Sequence, residues 1–522
     1  MNRLDDLFAK TSRGVTYAWI GSLTAFSLAS VLGTRSLYAN AEARHQAALG
    51  IDASRALVAL YGSVPLDGSL GSLAVVKLLS LGSLGAALGG SLVATRLSRE
   101  LEESGGLTLL ALGRRSWRAL ARRAGLVALL RGALLAMLVA GTGINGGLSE
   151  GGSLLLGSAL GLAWILGASL SLALAQVVTH ARSVRLATAA LLLGLYLLRA
   201  LGDSTPGLAA LSAVSPFHWI LTTTPFEHPR VLGDVGVLIL VVLVLLAGEF
   251  ARRHRDLGGP HWTVQGRARS YAGTLGVLWW RRHRVLILSS TVATLGLSSI
   301  LSAASGHVSR LVSSSSAATY LSELAGRGNV KDQVISLSLL SACEIALALG
   351  LALLVSRRHD ETSGALRLVD AQPPPASTHW WRETILVYAA VLTCSTAGLG
   401  VFVAGVRRDV LVAGAGRLVG TGVALSVGLL LSRRTPPGVI WAPLVVTVLA
   451  GEVAPLVGLL RPLARLSPYW WLGSGLTTPP LGAAVMEMGV SLLCVVLARR
   501  SFSPTGRHDY GVSLRLRHHE SQ

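Results

Sequence analysis

Charged residues inside apolar stretches are the first groups in this sequence that could do chemistry. Lys77, Arg199, Glu344 and Glu452 each lie within a long run of apolar residues. A charged side chain at the centre of a membrane helix costs about 2.5–3.5 kcal/mol on insertion scales, so such residues usually face a cavity or a partner. Lys77 and Glu344 hold comparable places in the two halves of the chain and are opposite in sign, as are Arg199 and Glu452. We therefore predict cavity-lining charges or charges paired between halves; snorkelling or local pairing within one half is the alternative.

Sites for enzymatic chemistry are not predicted in this chain. A phosphate-binding P-loop ends in Lys and Ser/Thr after a glycine-rich turn, whereas none of the lysines Lys10, Lys77 and Lys331 follows a glycine. We find no His-Glu-x-x-His zinc motif, no closely spaced cysteine pair and no nucleophile elbow in a strand–turn–helix context. The sequence therefore predicts a protein without enzymatic activity, and without a cofactor or metal of its own.

Composition indicates the solvent in which this chain folds. Of its 522 residues, 51% are hydrophobic and only 14% are charged. A membrane-spanning helix needs about 20 predominantly apolar residues, and the bilayer core forces each span to satisfy its own backbone hydrogen bonds. We predict an all-α polytopic membrane protein of about twelve transmembrane helices. The predicted spans are 17–33, 70–94, 124–143, 153–179, 186–202, 233–251, 285–304, 335–355, 384–405, 411–431, 439–460 and 481–498.

Basic residues predict the orientation of these spans. The formal net charge is +20, and Lys and Arg concentrate in the loops that an N-terminus-inside arrangement places in the cytoplasm, as the positive-inside rule requires. We predict a multi-pass protein of the bacterial plasma (inner) membrane with both termini cytoplasmic. Since basic clusters in a membrane protein serve topology, nucleic acid is not a predicted partner; the lipid bilayer is.

Internal similarity indicates that the chain arose by duplication. SRELEESGG at 98–106 resembles SRRHDETSG at 356–364, and VSPFHW at 214–219 resembles LSPYWW at 466–471. The matches occur in the same order and at similar offsets, as expected of a repeat. Six spans return the chain to its starting side, so the two six-helix halves are parallel repeats.

The repeat predicts four parts. They are a first six-helix transmembrane half at 1–255, a cytoplasmic linker with an interfacial helix at 256–284, a second six-helix half at 285–500 and a cytoplasmic tail at 501–522.

The cytoplasmic segment after the second span of each half carries an acidic residue followed by glycine. The residues that share this pattern or flank it are Arg99, Glu103, Ser104 and Gly106 in the first half, and Arg357, Glu361, Thr362 and Gly364 in the second. Because the pattern occurs twice, we predict that both segments dock the same kind of partner. A solvated loop that only fixes topology is the alternative, since charge runs usually are solvated.

A proline- and aromatic-rich outside loop precedes the sixth span of each half. The residues concerned are Pro216, Phe217 and Trp219 in the first half and Pro468, Tyr469 and Trp471 in the second. Irregular backbone at membrane depth must be shielded by protein or line a cavity. We predict a hairpin that re-enters the outer leaflet and acts as an extracellular lid; an interfacial aromatic belt fits the same residues.

These features together resemble the permease (transmembrane) subunits of actinobacterial ABC exporters, the polyketide-antibiotic and multidrug exporter family. The resemblance covers essentially the whole chain. It is carried by the repeated six-span plan, the basic-Asp-Leu-Gly junction RRHRDLG at 252–258, and the motifs Glu103-Ser104-Gly105-Gly106, Glu361-Thr362-Ser363-Gly364, Ser215-Pro216-Phe217 and Ser467-Pro468-Tyr469. The second half departs from the pattern, because RRSFSPTG at 499–506 lacks Asp-Leu and Pro373-Pro374-Pro375 interrupts its cytoplasmic segment.

The resemblance implies a type V ABC exporter-like fold and a mechanism. A separate ABC ATPase (nucleotide-binding) subunit, expected in two copies, would bind ATP and Mg and grip the permease through the two docking segments. Amphipathic drug-, antibiotic- or lipid-like small molecules would be moved out of the cell, conferring antibiotic resistance.

Three rival functions use the same architecture. The main one is a secondary, ion-coupled multidrug transporter, also built as six plus six spans. A membrane enzyme acting on lipid or glycan would need acidic residues or histidines gathered at one face, and here they are scattered. An ATPase-coupled resistance sensor is the third.

Overall fold

The computed structural model describes residues 3–111, 116–205, 207–255, 275–304, 318–319, 322, 325, 329–362, 376–401, 408–454, 458–473, 476 and 478–501. All regular secondary structure in these ranges is helical, which confirms the all-α prediction. Contacts divide the chain into two units, Met1–Tyr271 with Ala303–Leu321, and Ala272–Ser302 with Ser322–Gln522.

Helices account for nearly all of the first unit. In chain order they are α1 (Arg3–Leu37), α2 (Ala41–Asp52), α3 (Arg55–Tyr61), α4 (Leu70–Glu103), α5 (Gly106–Ala111), α6 (Trp117–Asn145), α7 (Glu150–Val177), α8 (Ala181–Ser204), α9 (Ala209–Ala213), α10 (Pro216–Leu221) and α11 (Leu232–Arg253).

The second unit repeats much of this order. Its helices are α12 (Leu275–Ala304), α13 (Val330–Thr362), α14 (Ala376–Gly400), α15 (Arg408–Arg434), α16 (Gly438–Glu452), α17 (Pro468–Trp471) and α18 (Leu481–Arg500).

Membrane spans match the apolar runs of the sequence closely. Within the described ranges, eleven helices are long and apolar enough to cross a membrane, namely α1, α4, α6, α7, α8, α11, α12, α13, α14, α15 and α18. The segment predicted as a twelfth span, 439–460, contains only the shorter apolar helix α16. A 3-10 turn at Pro437–Trp441 opens it, a π turn at Leu449–Val453 ends it, and a 3-10 helix containing Pro462 follows. Proline has no backbone N–H, so Pro437 and Pro462 cannot donate the hydrogen bonds of a continuous α-helix.

The predicted boundary at residue 284 falls inside a helix, because α12 runs without a break from Leu275 to Ala304. The predicted linker at 256–274 and the tail beyond residue 501 lie outside the described residues. The four-part division of the chain stays a prediction.

Two short outer helices, α2 and α3, were not foreseen from the sequence. Side chains cap their first turns: Asn40 Oδ1 accepts a hydrogen bond from the Ala43 amide at 2.8 Å, and Ser54 Oγ accepts one from the Leu57 amide at 3.4 Å. Such caps satisfy amides that the first turn of a helix leaves without partners. A small apolar core of their own joins these helices to the start of α4; it contains Ala47, Ala48, Ile51, Leu57, Val64, Leu73 and Val76.

Helices α4 and α7 cross at very short range in the first core. A Cβ atom on Gly167 would lie well inside contact distance of the Ala87 carbonyl oxygen, and one on Gly90 would collide with the Trp164 carbonyl oxygen. Trp164 is fully buried at this crossing, where its indole N–H donates to the Ala128 carbonyl at 3.0 Å. Small residues allow close backbone approach between membrane helices, so the glycines determine this packing.

All three cysteines, Cys343, Cys394 and Cys494, are buried and free. Cys394 Sγ lies 3.3 Å from Thr294 Oγ1, which joins α12 to α14. The thiols therefore act as small packing groups in the second unit.

Candidate functional site

The first docking segment is held by a buried carboxylate, Glu102, bound by two guanidinium groups. Arg99 Nη1 lies 2.9 Å from Glu102 Oε2, and Arg255 contacts both carboxylate oxygens, at 3.0 and 2.9 Å. The three side chains are only 3–5% exposed. Paired guanidinium–carboxylate hydrogen bonds are strong and geometrically specific, so this triad fixes the C-terminal end of α4 to the end of α11.

The same two arginines extend the connection to further helices. Arg99 Nε donates to the Thr179 carbonyl at 2.6 Å, and Arg255 Nε donates to Gln176 Oε1 at 2.8 Å. The Arg255 guanidinium lies 5.3 Å from the ring centroid of Trp117, at the start of α6. Four spans of the first unit therefore meet at one cluster of polar contacts.

Glu103 is exposed, but it also has a structural partner. Its Oε1 accepts a hydrogen bond from the Ala181 amide at 2.8 Å, which caps the first turn of α8 from a neighbouring helix. A carboxylate at this end also interacts favourably with the positive end of the helix dipole.

Past Glu103 the chain turns sharply and exposes a short surface. Gly105 has φ +73°, a conformation that L side chains rarely adopt, and the Cβ of a residue at Gly106 would press on Leu101. Ser104 is exposed, and the Leu109 side chain on α5 is 70% exposed. We call the segment from Ser104 to Leu109 the first elbow; it is the part of the predicted docking segment that a partner could touch.

The corresponding segment of the second unit has its own buried cluster. Arg357 Nε lies 3.3 Å from Glu361 Oε1 and 3.2 Å from Glu383 Oε2, and its Nη1 donates to Thr384 Oγ1 at 3.3 Å. Arg433 Nη1 also lies 3.0 Å from Glu361 Oε1. Ion pairs thus tie the ends of α13 and α15 to the start of α14.

A tryptophan at the start of the third span is common to both clusters. In the second unit Trp380 is 1% exposed, with the guanidinium groups of Arg357 and Arg499 at 5.5 and 5.9 Å from its ring. Trp117 holds the same place in the first unit, where Arg255 stands over it much as Arg499 does over Trp380. Each cluster therefore places an arginine from the end of its sixth span, or from just past that end, over a Trp near the start of its third span.

Of the eight predicted docking residues, Arg99 and Arg357 are buried in ion pairs, and Glu103 and Glu361 have partners within their own units. Ser104 and Gly106 belong to the first elbow. Thr362 is the last residue of α13, and Gly364 lies outside the described residues. The buried acid Glu102 is not among these eight residues, although its position three residues after Arg99 on a helix is a signal for an ion pair.

Arg199, one of the predicted intramembrane charges, is completely buried and pairs within its own unit. Its Nη2 donates to the carbonyl oxygens of Ala59 and Leu60 at 2.9 and 3.2 Å, at the end of α3, and its Nη1 lies 3.7 Å from Asp203 Oδ2. A cation here satisfies carbonyls that the last helical turn leaves without partners. Local pairing within one half, the alternative reading, therefore describes Arg199.

Aromatic and hydroxyl groups complete this attachment. The guanidinium lies 4.5 Å from the Tyr196 ring, and the Tyr196 hydroxyl donates to the Leu60 carbonyl at 2.5 Å. Burial raises the pKa of Tyr61, the last residue of α3, to about 12, so its hydroxyl stays neutral at physiological pH.

We expect Arg199→Gln to loosen α2 and α3 while the spans stay folded. Losing charged hydrogen bonds to buried carbonyls costs about 1.5–3 kcal/mol, so local opening should become on the order of tenfold or more frequent. Hydrogen exchange of residues 41–64 measures this. Arg55→Gln, at the exposed start of α3, is the matched control and should leave exchange unchanged. Equal protection in both variants would contradict the assignment.

The other three predicted intramembrane charges, Lys77, Glu344 and Glu452, lie in different environments. Lys77 is exposed although Val76 and Leu78 on either side of it are buried, and a π-helical turn at Leu78–Gly82 follows directly. In the second unit the carboxyl groups of Glu344 and Glu452 hydrogen-bond to each other. Pairing of Lys77 with Glu344 stays a prediction.

The predicted lid residues form two short helices, α10 and α17, with matching internal contacts. The Trp219 indole N–H donates to the Ala213 carbonyl at 2.8 Å, and the Trp471 indole N–H donates to the Arg465 carbonyl at 2.9 Å, six residues back in both cases. Each helix starts with proline at its first position, Pro216 or Pro468, as helix starts favour.

The aromatic side chains of α10 and α17 pack differently. Phe217 is 1% exposed and meets Tyr196 edge-on, with ring centroids 5.9 Å apart. Tyr469 contacts Thr421, hydroxyl to hydroxyl, at 3.0 Å, and Trp471 is 47% exposed. The residues thus form short helices packed against the outer ends of the spans, and their action as a lid stays a prediction. Among the described residues, no group of three or more His, Cys, Asp or Glu side chains is placed to hold a metal ion.

Comparison with known proteins bears on this arrangement directly. No family model matches the sequence. The chain is 28% identical to a multidrug efflux system permease protein of Mycobacterium tuberculosis, over 505 aligned residues that cover 89% of this chain and 87% of the relative. This confirms the resemblance to actinobacterial exporter permeases. The similarity therefore extends over most of the chain.

Proposed function

We propose that this chain is the transmembrane permease subunit of an ATP-driven exporter that moves amphipathic drug-, antibiotic- or lipid-like molecules out of the cell. The observation that carries the proposal is the near full-length similarity to a multidrug efflux permease. The chain itself would not hydrolyse nucleotide; ATP and Mg would be bound by a separate ATPase subunit. The permease would lie in the bacterial plasma membrane with both termini in the cytoplasm.

The paired ion-pair clusters support docking of such a subunit. The first cluster joins the end of the second span to the end of the sixth, through Glu102 and Arg255, and the second cluster joins the end of the second span to the start of the third, through Arg357 and Glu383. A segment that receives force must be rigidly joined to the helices it moves, and buried guanidinium–carboxylate pairs supply that rigidity. Two such segments suit two copies of the ATPase.

Co-purification tests the proposal. The permease, tagged and expressed with the ATPase encoded beside its gene, should retain that ATPase, and reconstituted complex should show drug-stimulated ATP hydrolysis. An ion-coupled transporter is the second candidate, which the Glu344–Glu452 contact favours because acidic pairs within spans often carry protons. Drug transport driven by a proton gradient, without nucleotide or ATPase, would support that candidate and exclude ours.

We expect Leu109→Asp to release the ATPase from the permease. Leu109 is the most exposed large apolar side chain of the first elbow, and a charge placed in the apolar centre of an interface typically reduces affinity by 2 kcal/mol or more, roughly thirtyfold. Retention of the ATPase on immobilised permease measures the loss. Leu208→Asp, at an exposed position on the opposite side of the first unit, is the control. If both variants retain the ATPase equally, docking does not use this elbow.

A further inference from the structure

Glu487, on the last span, is a buried acid that neither the repeat nor the proposed coupling mechanism uses. It lies in α18, with its side chain only 3% exposed. Neither of its carboxyl oxygens has a hydrogen-bond partner among the described residues. Three other acids of this unit, Asp360, Glu361 and Glu383, have guanidinium partners, so Glu487 differs from them.

Helix α18 packs along α15, and the polar groups on that side are neutral. A chain of hydroxyls crosses three spans there: Tyr388 lies 2.6 Å from Ser426, which lies 2.7 Å from Ser491. Ser491 is one turn along α18 from Glu487. Hydroxyl groups donate and accept hydrogen bonds, but they cannot balance a negative charge.

Cations of the neighbouring elements are committed elsewhere. On α15, Arg417 donates to Ser336 at 2.5 Å, and on α18 itself Arg499 lies over Trp380 at the far end of the helix. The remaining titratable groups on this side are the Tyr388 hydroxyl, the Cys494 thiol two turns along α18, and the Tyr469 hydroxyl of α17, which contacts Thr421.

An ionised carboxylate without a counter-ion in such a place is strongly disfavoured, whereas a protonated carboxyl is neutral and tolerated. We infer that Glu487 is a proton-binding site, occupied in the conformation described here. Any conformation that separates α18 from α15 and hydrates Glu487 then releases one proton. The equilibrium between the two conformations therefore depends on pH, and rising pH favours the hydrated one.

Infrared spectroscopy of the permease in lipid nanodiscs tests the inference directly. The difference spectrum of wild type and Glu487→Gln at neutral pH should contain one band of a protonated carboxyl group, shifted in heavy water. Glu150→Gln, at the exposed first turn of α7, is the control and should remove a carboxylate band instead. Loss of a carboxylate band in the Glu487 variant overturns the inference.

Thermal unfolding gives a second, independent reading. A group that binds a proton when folded and loses it when unfolded makes stability fall as pH rises, by on the order of tenfold in the folding equilibrium per pH unit. We expect Glu487→Gln to lose this part of the pH dependence and the Glu150 control to keep it. If the amide does not fold, Glu487→Met replaces it: an apolar side chain of similar size should be at least as stable as wild type at high pH. A methionine variant less stable than wild type throughout overturns the inference. Neither measurement involves an ATPase, so both outcomes are separate from the proposed function.

Discussion

Glu102→Gln is expected to loosen the cytoplasmic end of the first unit more than any other single charge removal. The substitution removes the negative charge that the buried guanidinium groups of Arg99 and Arg255 both contact. Removing one partner of a buried ion pair costs about 3–5 kcal/mol, because the remaining charge stays desolvated. Thermal unfolding in detergent should show the loss, and drug-stimulated ATP hydrolysis in the complex should fall with it, since the elbow would no longer be rigidly joined to α4, α7 and α11.

Glu100→Gln is the matched control for this result. Glu100 lies two residues away on the same helix and pairs with Arg185 at 2.7 Å, but both side chains are about 40% exposed. Exposed pairs contribute only about 0–1 kcal/mol, so this variant should behave as wild type. A double-mutant cycle of Glu102→Gln with Arg255→Gln isolates the pair: the double variant should be less destabilised than the sum of the single ones. Additive losses would show that the triad does not act as a unit.

Gly167→Ala is expected to prevent correct packing of the first unit. A methyl group at this position would meet the Ala87 backbone carbonyl, which cannot move without displacing α4. Overpacking in a core typically costs 1–3 kcal/mol, and here the obstacle is backbone rather than an adjustable side chain. The yield of monodisperse protein in size-exclusion chromatography should fall severalfold, together with the unfolding temperature.

Gly151→Ala tests whether this effect belongs to the crossing or to the helix. Gly151 lies on the same helix, α7, and a Cβ there meets nothing within 4 Å. Alanine has the higher helix propensity, so this variant should be neutral or slightly more stable. Equal losses in both variants would mean that the short distance between α4 and α7 is not what Gly167 provides.

Apolar patterning was sufficient to predict most of the spans, because each needs about 20 apolar residues and few other arrangements satisfy the backbone in a bilayer. Segment 439–460 is less regular than the other predicted spans: among its described residues it contains the shorter apolar helix α16, which a 3-10 turn opens and a π turn ends. Apolar patterning missed α2 and α3, since these short helices are mixed in composition and their stability comes from packing on α4 and from Arg199.

The site was harder to predict than the spans. Repetition pointed to the segments around Arg99 and Arg357, where the structure has ion-pair clusters, but the contacts of individual residues depend on partners distant in sequence. Glu102 is defined by Arg255, 153 residues away, and Glu103 by the amide of Ala181, 78 residues away. Glu452 likewise lies against an acid distant in sequence, Glu344. Sequence spacing carries no information on such contacts unless both partners lie on one helix.

The burial of all three thiols has a practical consequence for studying this transporter. A thiol reacts as its thiolate and only where a reagent can reach it. The buried thiols of Cys343, Cys394 and Cys494 should therefore not react with maleimides or spin labels. New cysteines at exposed positions could then carry fluorophores in an otherwise native background. Distances between labels, followed while drug and nucleotide are added, would report motion without first rebuilding the core.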